Sequence, residues 1–515
     1  MLAAMPEPRR GPADAAGGTV APPGTGEDLR GSAIDSVKWN FVATLASLVG
    51  RLVFTFALAR LLGPENFGIV ALATLYITFA VVVLDQGFGL ALIQRRDLGP
   101  RDVGSVAWLN VAMGTLLTAV TIAAAPLAAD FFDTPELTAV LRVLSVTLFI
   151  RGLTLVPQAL IRRHLRFRAH AVVQGAAVLA GGVAGIAAAL AGAQYWALVV
   201  QTIVNDLVVV TALMLMFRAT SWLASWRSLR SMWSFSAQMM ASNFLVYLGN
   251  NADNIIIGRV LNATELAFYA LAYRLLRLPI QMVGSVVNGV ALPLFARLQD
   301  DDARSASWFR TATQLVALVT FPAFGLLVIG ADAGIAVAFG PAWAPAAAPL
   351  QAMAIAGVPM VVRMLLGPLA TARAHGALVL RWSVITVGLQ FVGFFVGLHV
   401  GGMVGVAVSI PVVQYLTWVP NAWSVLHHTV AMPVRTYLAA LVPPTLGSCV
   451  AVALWWAAHA SLQLGSAAVP DAVALLAATG VALAGYALVI RLAWPRTYRS
   501  ALDVGVQMLR RRVPA

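Results

Sequence analysis

Between residues 39 and 492 the chain alternates apolar runs of roughly 20 residues with short polar or turn-forming breaks. Each run is long enough to cross a bilayer as a helix. The pattern predicts about fourteen spans, at 39–62, 67–93, 104–128, 138–160, 171–193, 195–217, 233–258, 266–295, 308–330, 346–371, 377–399, 402–425, 436–459 and 471–492. Turn signals punctuate them: Gly63-Pro64 after the first, Asp133-Thr134-Pro135 after the third and Gly340-Pro341 after the ninth. The expected fold is an all-α polytopic membrane protein. Residues 1–35 are rich in Pro, Gly and Ala and hold no apolar run. They are expected to form a disordered cytoplasmic tail and not a cleavable signal peptide.

Composition agrees with the pattern. The 515 residues are 60% hydrophobic and 11% charged, against about 25% charged in an ordinary soluble protein. The net charge of +13 by itself suggests an anionic partner, but its distribution decides which. With the N-terminus inside, every second connection is cytoplasmic. Those connections and the tails hold Arg95, Arg96, Arg101, Arg162, Arg163, Arg166, Arg168, Arg218, Arg227, Arg230, Arg297, Arg304, Arg310, Arg373, Arg381, Arg435 and the run Arg510-Arg511-Arg512. The opposite connections hold only Arg60 and Arg259 at their edges. This is the positive-inside asymmetry: basic residues facing anionic lipid headgroups. Nucleic-acid binding is not expected. An even span count puts both termini in the cytoplasm. One cysteine, Cys449, excludes a disulfide framework and a cysteine metal site. In the basic tail, 493–515, Leu502, Val506, Leu509 and Val513 share one helical face, which fits either a surface-lying helix or a solvated tail.

The chain repeats itself. At an offset of 199 positions, ARLLGPENFGIVALAT (59–74) meets GRVLNATELAFYALAY (258–273), aligning Arg60 with Arg259, Leu62 with Leu261 and Ala71-Leu72-Ala73 with Ala270-Leu271-Ala272. The offset spans six helices, so both copies enter the membrane in the same direction and form parallel repeats. An N-lobe at 36–217 and a C-lobe at 233–427, joined by a linker at 218–232, would enclose a central cavity. Residues 428–492 then add two helices with no counterpart.

Polar residues form stripes within the spans. In the first, Asn40, Thr44, Ser47, Arg51 and Thr55 share one face. In the seventh, Asn243, Tyr247, Asn250 and Asn254 do so, with Asp253 alongside. In the eighth, Arg274, Arg277, Gln281, Ser285 and Asn288 do so. An arginine at the bilayer centre costs at least about 2.5–3.5 kcal/mol, so these stripes are expected to face a wet cavity or other helices. Arg51, Arg274, Arg277 and Arg363 are the candidate substrate cations. The planar guanidinium binds phosphate oxygens through paired hydrogen bonds and stays charged at any physiological pH, which points to a phosphate-bearing anion. Blander readings stand beside this one: Arg274 and Arg277 snorkelling to a helix end, Arg51 bridged to Asp85, Asp253 as an interhelical hydrogen-bond acceptor, and Asp85-Gln86-Gly87-Phe88-Gly89 as a kink. Arg60 and Arg259 are either helix-end contacts or residues at the periplasmic mouth. Arg142, Arg151 and Asp206 (beside Asn205) are intramembrane charges with no role assignable from sequence. No catalytic motif, cofactor site or metal site is evident.

The stretches ARLLGPENFGIVALAT, DQGFGLALIQRRDL (85–98), NNADNIIIGRVL (250–261), YALAYRLLRLPIQ (269–281) and LPLFARLQDD (292–301) resemble the Wzx-type polysaccharide flippases of the multidrug/oligosaccharidyl-lipid/polysaccharide exporter superfamily. That resemblance implies two six-helix lobes plus two extra helices and a bacterial inner-membrane location. It also implies an undecaprenyl-diphosphate-linked oligosaccharide as substrate, with the diphosphate held by cavity arginines, and, since members of the superfamily couple transport to ion gradients, an ion-coupling role that would fall here to Asp85 or Asp253. A polymerase and glycosyltransferases would be the functional partners of a protein expected to be monomeric. Two alternatives remain at this stage. A membrane glycosyltransferase or polymerase would need a large extramembrane acidic site, which the short connections disfavour. A drug/cation antiporter would need acidic lobes, which the arginines disfavour.

Overall fold

The computed structural model describes residues 26–85, 88–94, 99–163, 167–216, 223, 225–464, 470–495 and 497–499, with side-chain detail from residue 49 onwards. Among these the chain forms helices and no strand. The first half comprises α1 (Gly26–Asp85), α2 (Phe88–Gln94), α3 (Pro100–Phe131), α4 (Glu136–Leu144), α5 (Val146–Arg163), α6 (Phe167–Leu190) and α7 (Trp196–Met216). The second comprises α8 (Trp226–Val260), α9 (Ala263–Arg297), α10 (Asp302–Ile329), α11 (Ala331–Phe339), a 3-10 segment Pro341–Ala346, α12 (Ala347–Arg363), α13 (Leu366–Ala372) and α14 (Gly376–Val430). The pair α15 (Val434–Leu464) and α16 (Asp471–Ala493) follows.

Ten of the described helical segments are long and apolar enough to cross a membrane. Two of them hold two spans each. α1 breaks at Gly63, whose φ of 72° is left-handed and suits glycine, and Pro64 starts the next helix with no amide proton to waste. α14 reverses at Gly401-Gly402. Residues 397 and 405 would be about 12 Å apart along a straight helix, yet a Cβ on Gly397 would lie 2.4 Å from the Gly405 carbonyl oxygen. α8 and α9 are long enough to span but carry the polar stripes. The total is therefore about fourteen crossings, as the hydropathy pattern implies.

The differences from expectation are local. α1 starts at Gly26, inside the segment expected as a tail, and α8 starts at Trp226, inside the expected linker. The fourth span is two helices, broken at Ser145. The tenth is a 3-10 turn followed by two helices. Residues 1–25 and 500–515, with the basic tail's amphipathic face, lie outside the described residues.

The halves meet along a seam at the end of the molecule that carries Gly63. The two repeated turns touch there: a Cβ on Gly68 would lie 2.1 Å from the Ala263 carbonyl oxygen, so only glycine permits this approach. Trp343, 1% exposed, closes the seam. Its indole N–H donates to the Ala59 carbonyl at 2.9 Å. Its ring sits edge-on to Phe67 of the N-lobe and Phe268 of the C-lobe, with centroids 5.5 and 6.0 Å away. Phe56 and Phe339 add a further edge-to-face pair across the lobes at 4.7 Å.

Two charges without an assignable role from sequence find each other inside the N-lobe. Arg151 on α5 donates through Nε to Asp206 on α7 at 3.0 Å. Removing one partner strands the other charge. The cost falls below the roughly 3–5 kcal/mol of a fully buried pair, because the Arg151 side chain retains 39% exposure. Asp206→Ala is expected to lower the unfolding temperature of the purified protein. The double variant Arg151→Leu/Asp206→Leu is expected to recover most of that loss. A double variant no more stable than Asp206→Ala would show that the pair's charges are not what couples the two positions.

Candidate functional site

Arg51 on α1 and Arg274 on α9 are both solvent-accessible and lie within electrostatic reach of one another. They come from opposite lobes. Neither guanidinium makes an ion pair or hydrogen bond among the described residues, so the bridge from Arg51 to Asp85 is not formed. Asp85 itself is engaged elsewhere. Two like charges sharing one space repel, and an intramembrane site tolerates this only where water or an anion screens them. Asn243 and Asn250 on α8 and Gln281 on α9 are exposed as well.

The other stripe residues turn away. The Thr55 hydroxyl donates to the Arg51 carbonyl of its own helix at 2.7 Å and is 6% exposed. Tyr247, buried, donates across the lobes to the Leu75 carbonyl at 2.7 Å. The Asn254 backbone and side-chain amides donate to Asp253 at 2.8 and 3.2 Å. Asn40, Thr44, Ser47 and Asn288 are helical, but their side chains lie outside the described residues.

Arg277 is already occupied. Its Nη2 donates to the Tyr273 hydroxyl at 3.3 Å, with the guanidinium 4.7 Å from the Tyr273 ring centroid. Tyr273 stacks on Tyr269 at 6.2 Å, and the Tyr269 hydroxyl donates to Asp253 at 2.7 Å. Asp253, 3% exposed, therefore joins α8 to α9 as an interhelical acceptor at the foot of a ladder of two tyrosines topped by Arg277. Arg363 is directed into the C-lobe, where Nη1 donates to Gln414 at 2.7 Å and Thr417 at 3.2 Å, and Nη2 to Thr386 at 3.2 Å. Its hydrogen-bond partners all lie on α14, so it is not one of a cluster with Arg51 and Arg274. The sequence stripes missed the tyrosine ladder and Trp343: Tyr269 and Tyr273 share the face of Arg277, but aromatic residues in a span read as ordinary packing, and Trp343 lies between the expected ninth and tenth spans.

Arg60 and Arg259 each reach the opposite lobe. Arg60 donates to the Val337 carbonyl on α11 at 3.1 Å. Arg259 pairs with Asp133 at 2.6 Å and lies 5.3 Å from the Phe131 ring centroid. The two targets lie in neighbouring but not equivalent positions of the repeat: the counterpart of Asp133 is Asp332, at the start of α11, which accepts from Gln351 at 2.8 Å, whereas Arg60 bonds Val337 farther along that helix. Arg259 and Asp133 are 44% and 77% exposed, so their pairing contributes only about 0.2–1 kcal/mol. The buried Trp343 supplies far more, since truncating such a side chain costs roughly 3–5 kcal/mol. The aromatic packing holds the seam shut, and the arginines set its register.

A family model described as polysaccharide biosynthesis protein matches residues 57–348. The chain is 25% identical over 421 residues to the teichuronic acid biosynthesis protein TuaB of Bacillus subtilis (strain 168), covering 80% of this chain and 86% of that protein. It is 24% identical over 423 residues to the lipopolysaccharide biosynthesis protein WzxC of Escherichia coli (strain K12), covering 81% and 85%. It is 26% identical over 483 residues to the succinoglycan biosynthesis transport protein ExoT of Rhizobium meliloti (strain 1021), covering 93% and 97%. Among solved structures, the lipid II flippase MurJ in an inward closed conformation aligns with a TM-score of 0.68 at 11% identity, covering 87% of this chain and 98% of that one. An inward-facing multidrug resistance transporter of the MATE family, in the MOP superfamily, aligns at 0.58 and 15%, covering 73% and 94%. At these identities the structural matches establish the fold.

The seam predicts a graded response. In a Cys449→Ser background, Ala267→Cys, at a position 3% exposed in the seam, is expected to react slowly with a bulky maleimide. Adding Arg259→Ala should raise the rate about 2–5-fold. Adding Trp343→Ala should raise it by more than about 10-fold. Equal rates in all three proteins would mean that this seam does not gate access.

Proposed function

The chain belongs to the polysaccharide biosynthesis protein family, and we propose that it is a flippase. In this reading it moves a polyprenyl-diphosphate-linked oligosaccharide, with undecaprenyl as the carrier, from the cytoplasmic to the periplasmic leaflet by alternating access. The observation that carries the reading is the pair Arg51 and Arg274, one from each lobe, accessible and without an acidic partner among the described residues. A diphosphate brings at least two negative charges and several acceptor oxygens to meet two guanidiniums. Binding it removes their mutual repulsion, which draws the lobes together around the headgroup. The lipid tail stays in the bilayer, where it loses no apolar contact.

The positive-inside distribution of arginines supports an orientation with the Gly63 end in the periplasm and both termini in the cytoplasm of a bacterial inner membrane. The described conformation is then closed towards the periplasm. Opening on that side requires Trp343 to leave Ala59, and Arg60 and Arg259 to release their partners. Arg277 and Arg363 have no direct part in this scheme: the first supports α9 through its tyrosines, and the second belongs to the C-lobe interior. Asp85 and Asp253 have no coupling role in it, and Asp253 instead holds the α8–α9 pair in place.

Arg51→Ala/Arg274→Ala is expected to cut export of the surface polysaccharide at least about 10-fold, the effect of losing roughly 1.4 kcal/mol at the rate-limiting state, with unchanged protein level in the membrane. Arg51→Lys/Arg274→Lys should retain part of it, since charge survives but the planar fork does not. Wild-type export by the double alanine variant would remove the basis of the diphosphate assignment.

A further inference from the structure

Arg363 raises a separate question. It is a permanent cation in the interior of the C-lobe, and each of its hydrogen bonds goes to a neutral oxygen, on Gln414, Thr417 or Thr386. No acidic side chain interacts with it electrostatically among the described residues, and the one titratable neighbour that does is the Tyr437 hydroxyl. A guanidinium offers five N–H donors, and these bonds use three. Arg363 is partly buried, so its desolvation cost falls below that of a fully buried unpaired charge, but an anion that reached it would still be favoured.

A cavity of about 240 Å³ lies against Arg363, between the end of α12, α13 and both arms of α14. Trp382, Ser383 and Asn421 contribute its other polar side chains. The Trp382 indole N–H is buried and has no acceptor. An indole offers only a donor, and an orphaned donor of this kind is rare in a folded interior. The cavity thus combines a positive charge with unused donors and no carboxylate. A metal cation is repelled from such a place. A small anion satisfies the charge and the orphan donor together.

We propose that this cavity is a binding site for one small inorganic anion, halide or phosphate, taken from solution and distinct from the space between the lobes. Bound there, the anion neutralises Arg363 and ties α12 to both arms of α14, stiffening the C-lobe as a rigid body. The site is independent of the flippase reading, because Arg51 and Arg274 take no part in it.

The experiment uses the full-length protein in nanodiscs of zwitterionic lipid, in gluconate buffer. Chloride, bromide and inorganic phosphate are titrated from about 1 to about 100 mM while the unfolding temperature is recorded, because a ligand that binds only the folded state raises it with concentration. At least one anion is expected to give a saturable rise. Arg363→Gln, which keeps a donor but not the charge, should abolish it. Trp382→Phe, a milder change should the first variant fail to fold, should shift half-saturation at least about 3-fold. Arg51→Ala/Arg274→Ala should leave the response intact. Three results would overturn the proposal: no saturable rise with any anion, meaning that the cavity holds only water; loss of the response in the Arg51/Arg274 variant rather than in Arg363→Gln or Trp382→Phe; or a response that appears only when anionic lipid replaces the zwitterionic lipid.

Discussion

The backbone contact between the two repeated turns is the constraint on which the rest of the architecture depends. Gly68 lets the Ala263 carbonyl approach to a distance that no side chain allows, and that approach brings α1 and α9 together at one end. Trp343 then fills the remaining gap from the 3-10 segment, burying its ring and giving its N–H to the N-lobe. With the lobes pinned at this end, polar residues farther along α1, α8 and α9 can share a space without being enclosed by apolar packing. A membrane supplies no hydrophobic force between helices, so close packing of small residues and a few polar bonds must hold them. The seam joins both kinds of contact, at Gly68 and between Trp343 and Ala59, to the aromatic cluster around Trp343.

Six of the charges within the spans fall into three arrangements by what they meet. Arg151 and Asp206 neutralise each other within the N-lobe. Asp253 and Arg277 are joined through two stacked tyrosines, which spread one acid and one base along an interface between α8 and α9. Arg51 and Arg274 lie within electrostatic reach of one another and pair with no acid among the described residues. The first two arrangements stabilise the lobes that contain them. The third is unfavourable unless water or an anion screens it. A chain selected for stability alone would place a carboxylate there.

Local pattern predicts the spans well because a crossing helix is set by its own hydropathy, which needs no knowledge of neighbours. The repeat at 59–74 and 258–273 was also legible, and the matching turns do meet. The break at Gly401-Gly402 falls where the expected spans 377–399 and 402–425 divide, whereas the break at Ser145, inside the expected fourth span, was less legible because a single residue decides it. Stripe membership was the weakest guide. Thr55 lies on the same face as Arg51 yet spends its hydroxyl on its own backbone, and Asn254 turns to Asp253. Helical phase gives the side of a helix, not whether that side meets a partner.

From the amino-acid sequence alone come the membrane setting, the approximate number of crossings, the pseudo-symmetry and the set of intramembrane charges, because each follows from local composition or from comparing the chain with itself. Only the tertiary structure decides which charges are spent. Arg151 finds Asp206 across 55 positions and Arg259 finds Asp133 across 126, while Arg51 and Arg274 find no acid among the described residues. The reason is physical: a Coulomb interaction depends on distance in space and on local screening. Those are settled by how α1, α5, α7 and α9 pack, not by where their arginines stand in the chain.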